Sequence, residues 1–443
     1  MHIQPKPVPC YPGHDEASLP KISVPIDLAV EAVKKHSREI DLTNPGPAVD
    51  AIFRNARVIG LGEGSHGTAE CFQTQAEITK YLIRERDARL VMVELPPGLA
   101  EVMNMTISQS GDNTIPKQVE DTIRKLPFET WLSQEFEDLF LFIREWNLTS
   151  PSDPVVFRGI DMSSYNATNA LDQMPDASLE TRNLARRLER EMNCFPGGLP
   201  IKSESVASSD QLNGLKRIWK EAKQHLLTLE EHPHVYCVFR SIAQVAYLNR
   251  CTIAKPDSLV AERDKMMAKN VVKEIRRLDP DARAVVLAHN AHVSFDDPFT
   301  SSYSGGLGRF LRAYFGEDHY RVLITTSGGG SVTSRVGLTK PSETNEGEVV
   351  FTGAMSRERG IYVSDAPLQG SFEDLLSKSV STPVCLSIES MLKDERLAEV
   401  ALSPISLRSM GCALLKNEFA ASRLASSCDG VVYFPKSNGS KLY

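Results

Sequence analysis

The sequence predicts an α/β protein in which helices flank a mainly parallel β-sheet and a helical subdomain is inserted into the chain. Short aliphatic runs alternate with amphipathic segments of helical length, a pattern typical of parallel strands that are buried on both faces. A long stretch between Phe157 and Arg283 then has almost no strand signal. We therefore expect one sheet flanked by helices, with one helical insertion.

The predicted strands are short runs of β-branched or aliphatic residues, which pack well on a pleated surface. In chain order they are Arg57–Leu61, Arg89–Val93, Pro154–Phe157, Arg283–Ala288, Tyr320–Thr325, Pro383–Ser387 and Gly430–Phe434.

The first predicted helix covers residues 25–39, where apolar residues recur at helical spacing. Residues 1–22 are rich in proline and polar residues and are interpreted as an N-terminal arm, so a single domain is expected over residues 23–443. The helical insertion is expected at about residues 165–278, with breaks that proline and glycine mark at 195–198 and 231–233. Its helical segments are Leu184–Glu191, Ser209–Leu229 and Val235–Ile275.

The charge and apolar content of the chain argue against two classes of partner. The formal net charge is −7 and the pI is about 5.9, which would repel a phosphate backbone, and no basic run reverses this locally. No stretch reaches the ~18 apolar residues of a membrane span, and the N-terminal residues lack the apolar core of a secretory signal. We expect a cytoplasmic protein with no nucleic-acid or membrane partner, and the oligomeric state stays open.

The 8 cysteines are scattered, without the close spacing of a zinc ribbon or a disulfide framework. Most are expected to be buried apolar residues, because no sequence neighbour supplies the base that a nucleophilic thiol needs.

Ionisable residues cluster where the predicted strands end. In open α/β sheets ligands bind outside the carboxyl ends of the strands, so these residues are brought to one edge. A carboxylate after a strand is often only a helix N-cap, which is the alternative role of Asp161. Glu94 is followed by Pro96 and Pro97, where a helix cannot simply begin at the acid. The strand-end candidates are Glu63, His66, Glu94, Arg158, Asp161, His289 and His292.

The loop Gly62-Glu63-Gly64-Ser65-His66-Gly67 has three interpretations. Its glycine spacing matches the dinucleotide fingerprint, but the anion of Glu63 would oppose phosphate binding at a helix N-terminus. Ser65 misses the nucleophile elbow, because Glu63 stands where that turn needs a glycine. A histidine close after a carboxylate is better suited to deprotonate water, so we expect His66 to be a general base, without an acyl-enzyme.

The histidines also allow a metal interpretation. His66, His289 and His292 with Glu94 would satisfy zinc chemistry. The His-Glu-x-x-His order and cysteine ligands are lacking, so neither a metal nor another cofactor is expected.

Several segments together resemble the erythromycin esterase family, in their residues, order and spacing. The resemblance covers almost the whole chain. The segments are Val58–Phe72, Val93-Glu94, Gly159-Ile160-Asp161, Arg263–Asn270, Ala288-His289-Asn290-Ala291-His292 and Cys428–Phe434.

The resemblance implies an α/β core with a helical insertion and metal-independent hydrolysis of a macrolide lactone ester. His66 would be the base that activates water, with Glu63 and Glu94 orienting His66 and the substrate. His289 and His292 would position the site or stabilise the developing oxyanion.

One position departs from the family pattern. Nine residues after the motif histidine the family has an arginine on the first helix, where this chain has Gln75. Glutamine hydrogen-bonds but supplies no fixed cation, a loss that Arg158 or Arg263 would compensate by reaching the same point. The expected substrate-binding residues are Gln75, Arg158, Asp161 and Arg263.

The leading hypothesis is a hydrolase that cleaves an ester or lactone of a bulky natural product. The alternative is a biosynthetic tailoring enzyme that uses the same His/Glu site for cyclisation, isomerisation, dehydration or epoxide opening. A third hypothesis is a protein that binds such a small molecule without turnover.

Overall fold

The structure is a computed structural model that describes residues 19–108, 133–162, 167–193, 209–254, 259–278, 281–295, 306–338, 354–364, 366–410, 413–414 and 418–441. Most of the predicted arm at residues 1–22, and the predicted helix break at 195–198, lie outside these residues.

The described strands are β1 (Arg38–Glu39), β2 (Val58–Glu63), β3 (Ala88–Val93), β4 (Val156–Gly159), β5 (Arg283–His289), β6 (Tyr320–Ser327), β7 (Gly330–Leu338), β8 (Ala354–Ser364), β9 (Val384–Ser387), β10 (Ile405–Arg408), β11 (Ala413–Leu414), β12 (Phe419–Ser422) and β13 (Gly430–Phe434).

The described helices are α1 (Ile26–His36), α2 (Gly46–Phe53), α3 (Ala69–Glu85), α4 (Pro97–Ser108), α5 (Gln134–Thr149), α6 (Ala167–Gln173), α7 (Leu179–Asn193), α8 (Ser209–Leu226), α9 (Pro233–Ala254), α10 (Leu259–Leu278), α11 (Asn290–Val293), α12 (Leu307–Phe315), α13 (Phe372–Ser379), α14 (Ile388–Met391), α15 (Glu395–Leu402) and α16 (Leu424–Ser427). A 3-10 turn at Leu227–Leu229 follows α8.

The main sheet has 8 strands in the order β1-β9-β13-β6-β2-β5-β3-β4. Both β13 and β2 run parallel to β6, and β3 runs parallel to β4. At one edge β9 is antiparallel to β13, and β1 is antiparallel to β9. The predicted fold class, a mainly parallel sheet flanked by helices, is confirmed.

Contacts divide the chain into two compact units, which are described separately. The first unit comprises Met1–Asp87, Pro127–Phe140 and Leu287–Tyr443, and the second comprises Ala88–Leu126 and Leu141–Val286.

In the first unit, the layer that positions the candidate site is β2 with helix α3 against it. Every residue of β2 is buried, as expected for a strand covered on both faces. Helix α3 buries Cys71, Gln75, Ile78 and Leu82, whose spacing of three or four residues forms one helical face. That face contacts β2 and β6, so α3 presents position 75 to the sheet.

In the second unit, α9 is the central helix of an apolar core. It begins at Pro233, whose fixed φ suits the first turn of a helix. Val235, Val238, Phe239 and Ile242 are buried at helical spacing among residues of α6, α7 and α8. The described part of residues 165–278 is helical, as the sequence predicts.

Within the predicted helical region Val235–Ile275, the described residues form two helices, α9 up to Ala254 and α10 from Leu259. The structure also has strands that the sequence did not predict. The antiparallel hairpin β7–β8 was not predicted, because its residues Gly330–Leu338 are polar or glycine at many positions and give a weak strand signal.

Candidate active site

The loop after β2 is held in close contact with its neighbours in the first unit. A Cβ on Gly62 would lie 2.3 Å from Oδ1 of Asn290, and one on Gly67 would lie 1.7 Å from the backbone oxygen of Thr333. The hydroxyl of Thr325 adds two hydrogen bonds: it donates to the carbonyl oxygen of Gly62 and accepts the backbone N–H of Gly64. Gly62 and Gly67 therefore have packing reasons in this fold, independent of phosphate binding.

Glu63 and His66 form a hydrogen-bonded pair on this loop. Glu63 is the last residue of β2 and is fully buried, whereas 16% of the His66 side chain is exposed. Nδ1 of His66 lies 2.6 Å from Oε1 of Glu63. An ionised carboxylate only accepts, so Nδ1 carries the hydrogen and the basic lone pair of the ring lies on Nε2. The pair thus has the chemistry of a carboxylate-oriented general base.

His289 contacts the same loop and makes a hydrogen bond with each of its ring nitrogens. Its Nε2 lies 2.9 Å from the carbonyl oxygen of Met410, which can only accept, so Nε2 carries hydrogen. Its Nδ1 accepts the backbone N–H of Ala291 at 3.2 Å, which makes His289 the N-cap of α11. If Nδ1 were protonated, its N–H would face the backbone N–H of Ala291, and Nδ1 could no longer accept that hydrogen bond. This geometry fits the positioning role expected of His289, which stays a prediction.

Three histidine rings of the first unit, those of His66, His289 and His292, lie near one another. The ring centroids of His66 and His289 are 5.0 Å apart, and those of His289 and His292 are 6.5 Å apart in an edge-on arrangement. His292 lies in the single turn of α11 and is half-buried. The first unit therefore brings together Glu63, His66, His289 and His292, four of the five predicted catalytic residues.

Met410 is a site residue that sequence reasoning missed. It fixes His289 through its carbonyl oxygen, and its N–H donates to the carbonyl of Gly64 at 3.2 Å. The preceding Arg408 is buried and pairs with Glu418. Because Met410 acts through its backbone, its residue type gives no signal of this role.

Gln75 lies in the interior of the first unit. Its side-chain amide donates to the carbonyl oxygen of Leu61 at 2.8 Å and of Ala288 at 3.4 Å. It thus ties the ends of β2 and β5 together. Its Oε1 is buried and has no hydrogen-bond partner among the residues that the structure describes. The substrate contact expected of Gln75 stays a prediction.

In the second unit, Arg263 joins two of the predicted strand-end carboxylates. Its Nη2 donates to Oε1 of Glu94 and its Nε to Oδ1 of Asp161, each at 2.7 Å. Burial opposes the charge, but the two carboxylates outweigh it and raise the pKa of Arg263 well above its usual value. Asp161 also accepts the N–H of Met162, so it both caps the backbone and pairs with an arginine.

Arg158 belongs to a different network of the second unit. Its side chain is buried and lies 3.2 Å from Glu101 and 3.4 Å from Glu274, and Arg240 pairs with the same Glu274 at 2.8 Å. Burial disfavours the anion of Glu101, yet Arg158 and His234 lower its pKa overall. These contacts explain Arg158 structurally, and its expected substrate contact stays a prediction.

Ser65, Cys71 and Cys385 of the first unit are poorly placed to act as nucleophiles. Ser65 is buried and hydrogen-bonds the hydroxyl of Thr68. Burial raises the pKa of Cys71 and of Cys385 to about 12, so neither thiol ionises near neutral pH.

Within the described ranges, no group of three or more His, Cys, Asp or Glu residues could hold a metal ion. No helix in the described part of the chain is long and apolar enough to cross a membrane.

The fold and the first-unit site define an α/β protein with a carboxylate-oriented histidine at the end of a sheet strand. The sequence model of the family described as erythromycin esterase matches residues 83–437. The chain therefore belongs to the erythromycin esterase family, as its motifs indicated. The matched range includes Glu94, His289 and His292 but not Glu63 or His66.

Two curated relatives show how distant the similarity is. One relative is YbfO of Bacillus subtilis (strain 168), which is named provisionally as a hydrolase. YbfO is 22% identical to this chain over 289 residues. That alignment covers 59% of this chain and 62% of YbfO. The erythromycin esterase type II of Escherichia coli is 22% identical over 309 residues, which are 63% of this chain and 71% of the relative.

Solved structures share the fold at 16% sequence identity. A succinoglycan biosynthesis protein has a TM-score of 0.70 over 94% of this chain and 98% of its own. A Bacillus cereus protein has a TM-score of 0.70 over 95% and 99% of the two chains. A mutant of the erythromycin esterase EreC in its open conformation has a TM-score of 0.60 over 89% and 94%. Family membership supports a hydrolase as the coarse class of activity.

Proposed function

We propose that the protein hydrolyses an ester or lactone of a bulky, macrolide-like natural product, with water that His66 activates. The observation that carries the proposal is the hydrogen bond between buried Glu63 and Nδ1 of His66. This hydrogen bond supports the proposal, because a ring with its hydrogen on Nδ1 has its basic lone pair on Nε2, as a general base for water requires.

The proposed reaction needs two proton transfers through one ring nitrogen. Nε2 of His66 takes a proton from water while the water oxygen attacks the ester carbon, and the carbonyl oxygen becomes an oxyanion. The imidazolium formed is stabilised by Glu63, which keeps the Nδ1 proton. When the ester C–O bond breaks, Nε2 returns the proton to the leaving alkoxide, and His66 is neutral again.

The remaining site residues have supporting roles in the proposal. His289 holds the loop of His66 as a neutral donor, and His292 is proposed to donate to the oxyanion. In the second unit, Arg263 faces two carboxylates, so its charge is compensated. We therefore assign Arg263 the role of holding Glu94 and Asp161 in position for the substrate.

Hydrolysis in heavy-oxygen water tests the proposal. The full chain is incubated with a panel of macrolides and other lactones, and products are analysed by mass spectrometry. The expected product gains one water that carries the label. His66→Ala is expected to abolish the product, and a His66→Ala protein with full activity would refute the mechanism.

One observation favours a second candidate, a tailoring enzyme that moves protons without adding water. Gln75 stands where the family pattern has an arginine, and its amide is used by backbone carbonyls. Cyclisation or isomerisation needs less oxyanion stabilisation than acyl transfer. An unlabelled isomer from the same incubation would support this candidate over hydrolysis.

A further inference from the structure

The first unit has a cavity that is lined by none of the residues of the Glu63–His66 site. It is a cavity of about 360 Å³ formed by the ends of α1 and α2, strands β1 and β9, and the turn that includes α14. This volume is at the small end of the range for ligand pockets, so it suits a small molecule rather than a macrolide. Its lining residues are His36, Arg38, Ala48, Ala51, Ile52, Arg54, Cys385, Ser387, Glu389, Ser390 and Lys393.

The rim of this cavity is cationic. Arg38, Arg54 and Lys393 line it, and the single lining carboxylate is Glu389. Arg54 and Lys393 share that carboxylate, the latter at 3.1 Å. Hydrogen bonding from Lys393, followed by the charge of Arg54, lowers the pKa of Glu389, so it is ionised at neutral pH. Three cations against one anion leave an excess of positive charge, in a chain whose net charge is −7.

The floor of the cavity is apolar. Ile52 and Cys385 are almost completely buried, and Ala48 is 7% exposed. Burial raises the pKa of the Cys385 thiol to about 12, so the floor carries no thiolate at neutral pH. Hydroxyl groups lie beside it, and that of Ser390 hydrogen-bonds Nδ1 of His36 at 2.9 Å.

A cationic rim over an apolar floor selects a particular chemistry. Guanidinium and ammonium groups bind phosphate through charge-assisted hydrogen bonds, and serine hydroxyls add neutral donors. An apolar floor contributes only if the ligand has an apolar body. If these cations served only to form surface ion pairs, the cavity should have about as many carboxylates as cations. It has one lining carboxylate for three cations.

We propose that this cavity binds a small organic phosphate, with the phosphate among Arg38, Arg54 and Lys393 and an apolar body over Ile52 and Cys385. The phosphate competes with Glu389 for the same cations. Because the rim is exposed, binding weakens as salt is added.

Calorimetric titration of the full chain with phenyl phosphate, inorganic phosphate and phenol tests the proposal at low ionic strength. Phenyl phosphate is expected to bind saturably, more tightly than inorganic phosphate, and phenol is expected not to bind. Equal binding of phenyl and inorganic phosphate would overturn the role of the apolar floor. Lack of saturable binding of both phosphates would overturn the site.

Two substitutions with opposite expected effects on phosphate affinity test whether the phosphate binds in this cavity. Lys393→Gln is expected to weaken phenyl phosphate binding roughly three- to tenfold, and Glu389→Gln to strengthen it by a similar factor. The matched control is Lys378→Gln, which removes another exposed lysine that pairs with a carboxylate four residues away. Equal effects of Lys393→Gln and Lys378→Gln, or weaker binding by Glu389→Gln, would refute the proposal.

Discussion

Replacement of Glu63 by Gln is the most direct perturbation of the proposed base. The side chain keeps its size, but the charge that holds Nδ1 of His66 at 2.6 Å is lost. A hydrogen bond to a charged group contributes about 1.5–3 kcal/mol, and the fully buried position of Glu63 leaves no water to replace it. Since about 1.4 kcal/mol is tenfold in rate, kcat/KM is expected to fall roughly 10- to 150-fold.

The assay for this prediction is kcat/KM on a hydrolysed lactone, measured by chromatography with mass detection. Thermal unfolding of Glu63→Gln is measured alongside, because a loss of fold would also lower the rate. The control is Glu70→Gln, whose carboxylate pairs with Asn438 and not with a histidine, and which should keep full activity. If Glu63→Gln folds normally and retains full activity, the carboxylate does not support the base.

Three further predictions follow from the contacts of the first unit. His289→Gln keeps an N–H donor for the carbonyl of Met410 and should retain more activity than His289→Leu, whereas equal losses would make His289 a proton-transfer group instead. Gly67→Ala should lower the free energy of unfolding in urea by about 1–3 kcal/mol, because its Cβ would meet a backbone oxygen 1.7 Å away. The control Gly316→Ala meets nothing within 4 Å and bears only the strain of φ +85°, about 1 kcal/mol. Burial raises the pKa of the Cys385 thiol to about 12 in the folded state, above the ~9 of a free thiol. The unfolded chain therefore loses this proton first, so the free energy of unfolding is unaffected below pH ~9 and falls as the pH rises above ~9. At pH 10 that loss is about 1.4 kcal/mol, and a drop between pH 8 and 10 that is equal in Cys385→Ala would contradict it.

The sequence predicts the strand ends well because both signals there are local. Val58–Glu63 is apolar up to its carboxylate, and His289 and His292 lie at the end of the β5 strand and just after it, so residue types alone mark a buried strand and a polar rim. The sheet then needs only the general rule that parallel strands present their carboxyl ends at one edge. The predicted fold class is confirmed, whereas the catalytic roles of the strand-end residues stay predictions.

The features that the sequence could not predict depend on backbone groups or on distant partners. Met410 acts through a carbonyl oxygen, which every residue has, and its partner His289 is distant in the sequence. Gln75 was identified by a missing charge, but its two acceptors are carbonyl oxygens of separate strands. Strand β9 is aliphatic like the parallel strands of the sheet, so its antiparallel direction has no compositional signal.

Two histidines in close contact need different protonation behaviour if one of them is to become a cation during catalysis. The ring centroids of His66 and His289 are 5.0 Å apart, so two positive rings would repel by about 3 kcal/mol at an effective dielectric constant of ~20. The N–H of Ala291 donates to Nδ1 of His289, so protonation of that nitrogen would cost this hydrogen bond. The buried carboxyl group of Glu63 hydrogen-bonds Nδ1 of His66. The cation is therefore favoured on His66 alone, which is the ring that the proposed reaction protonates.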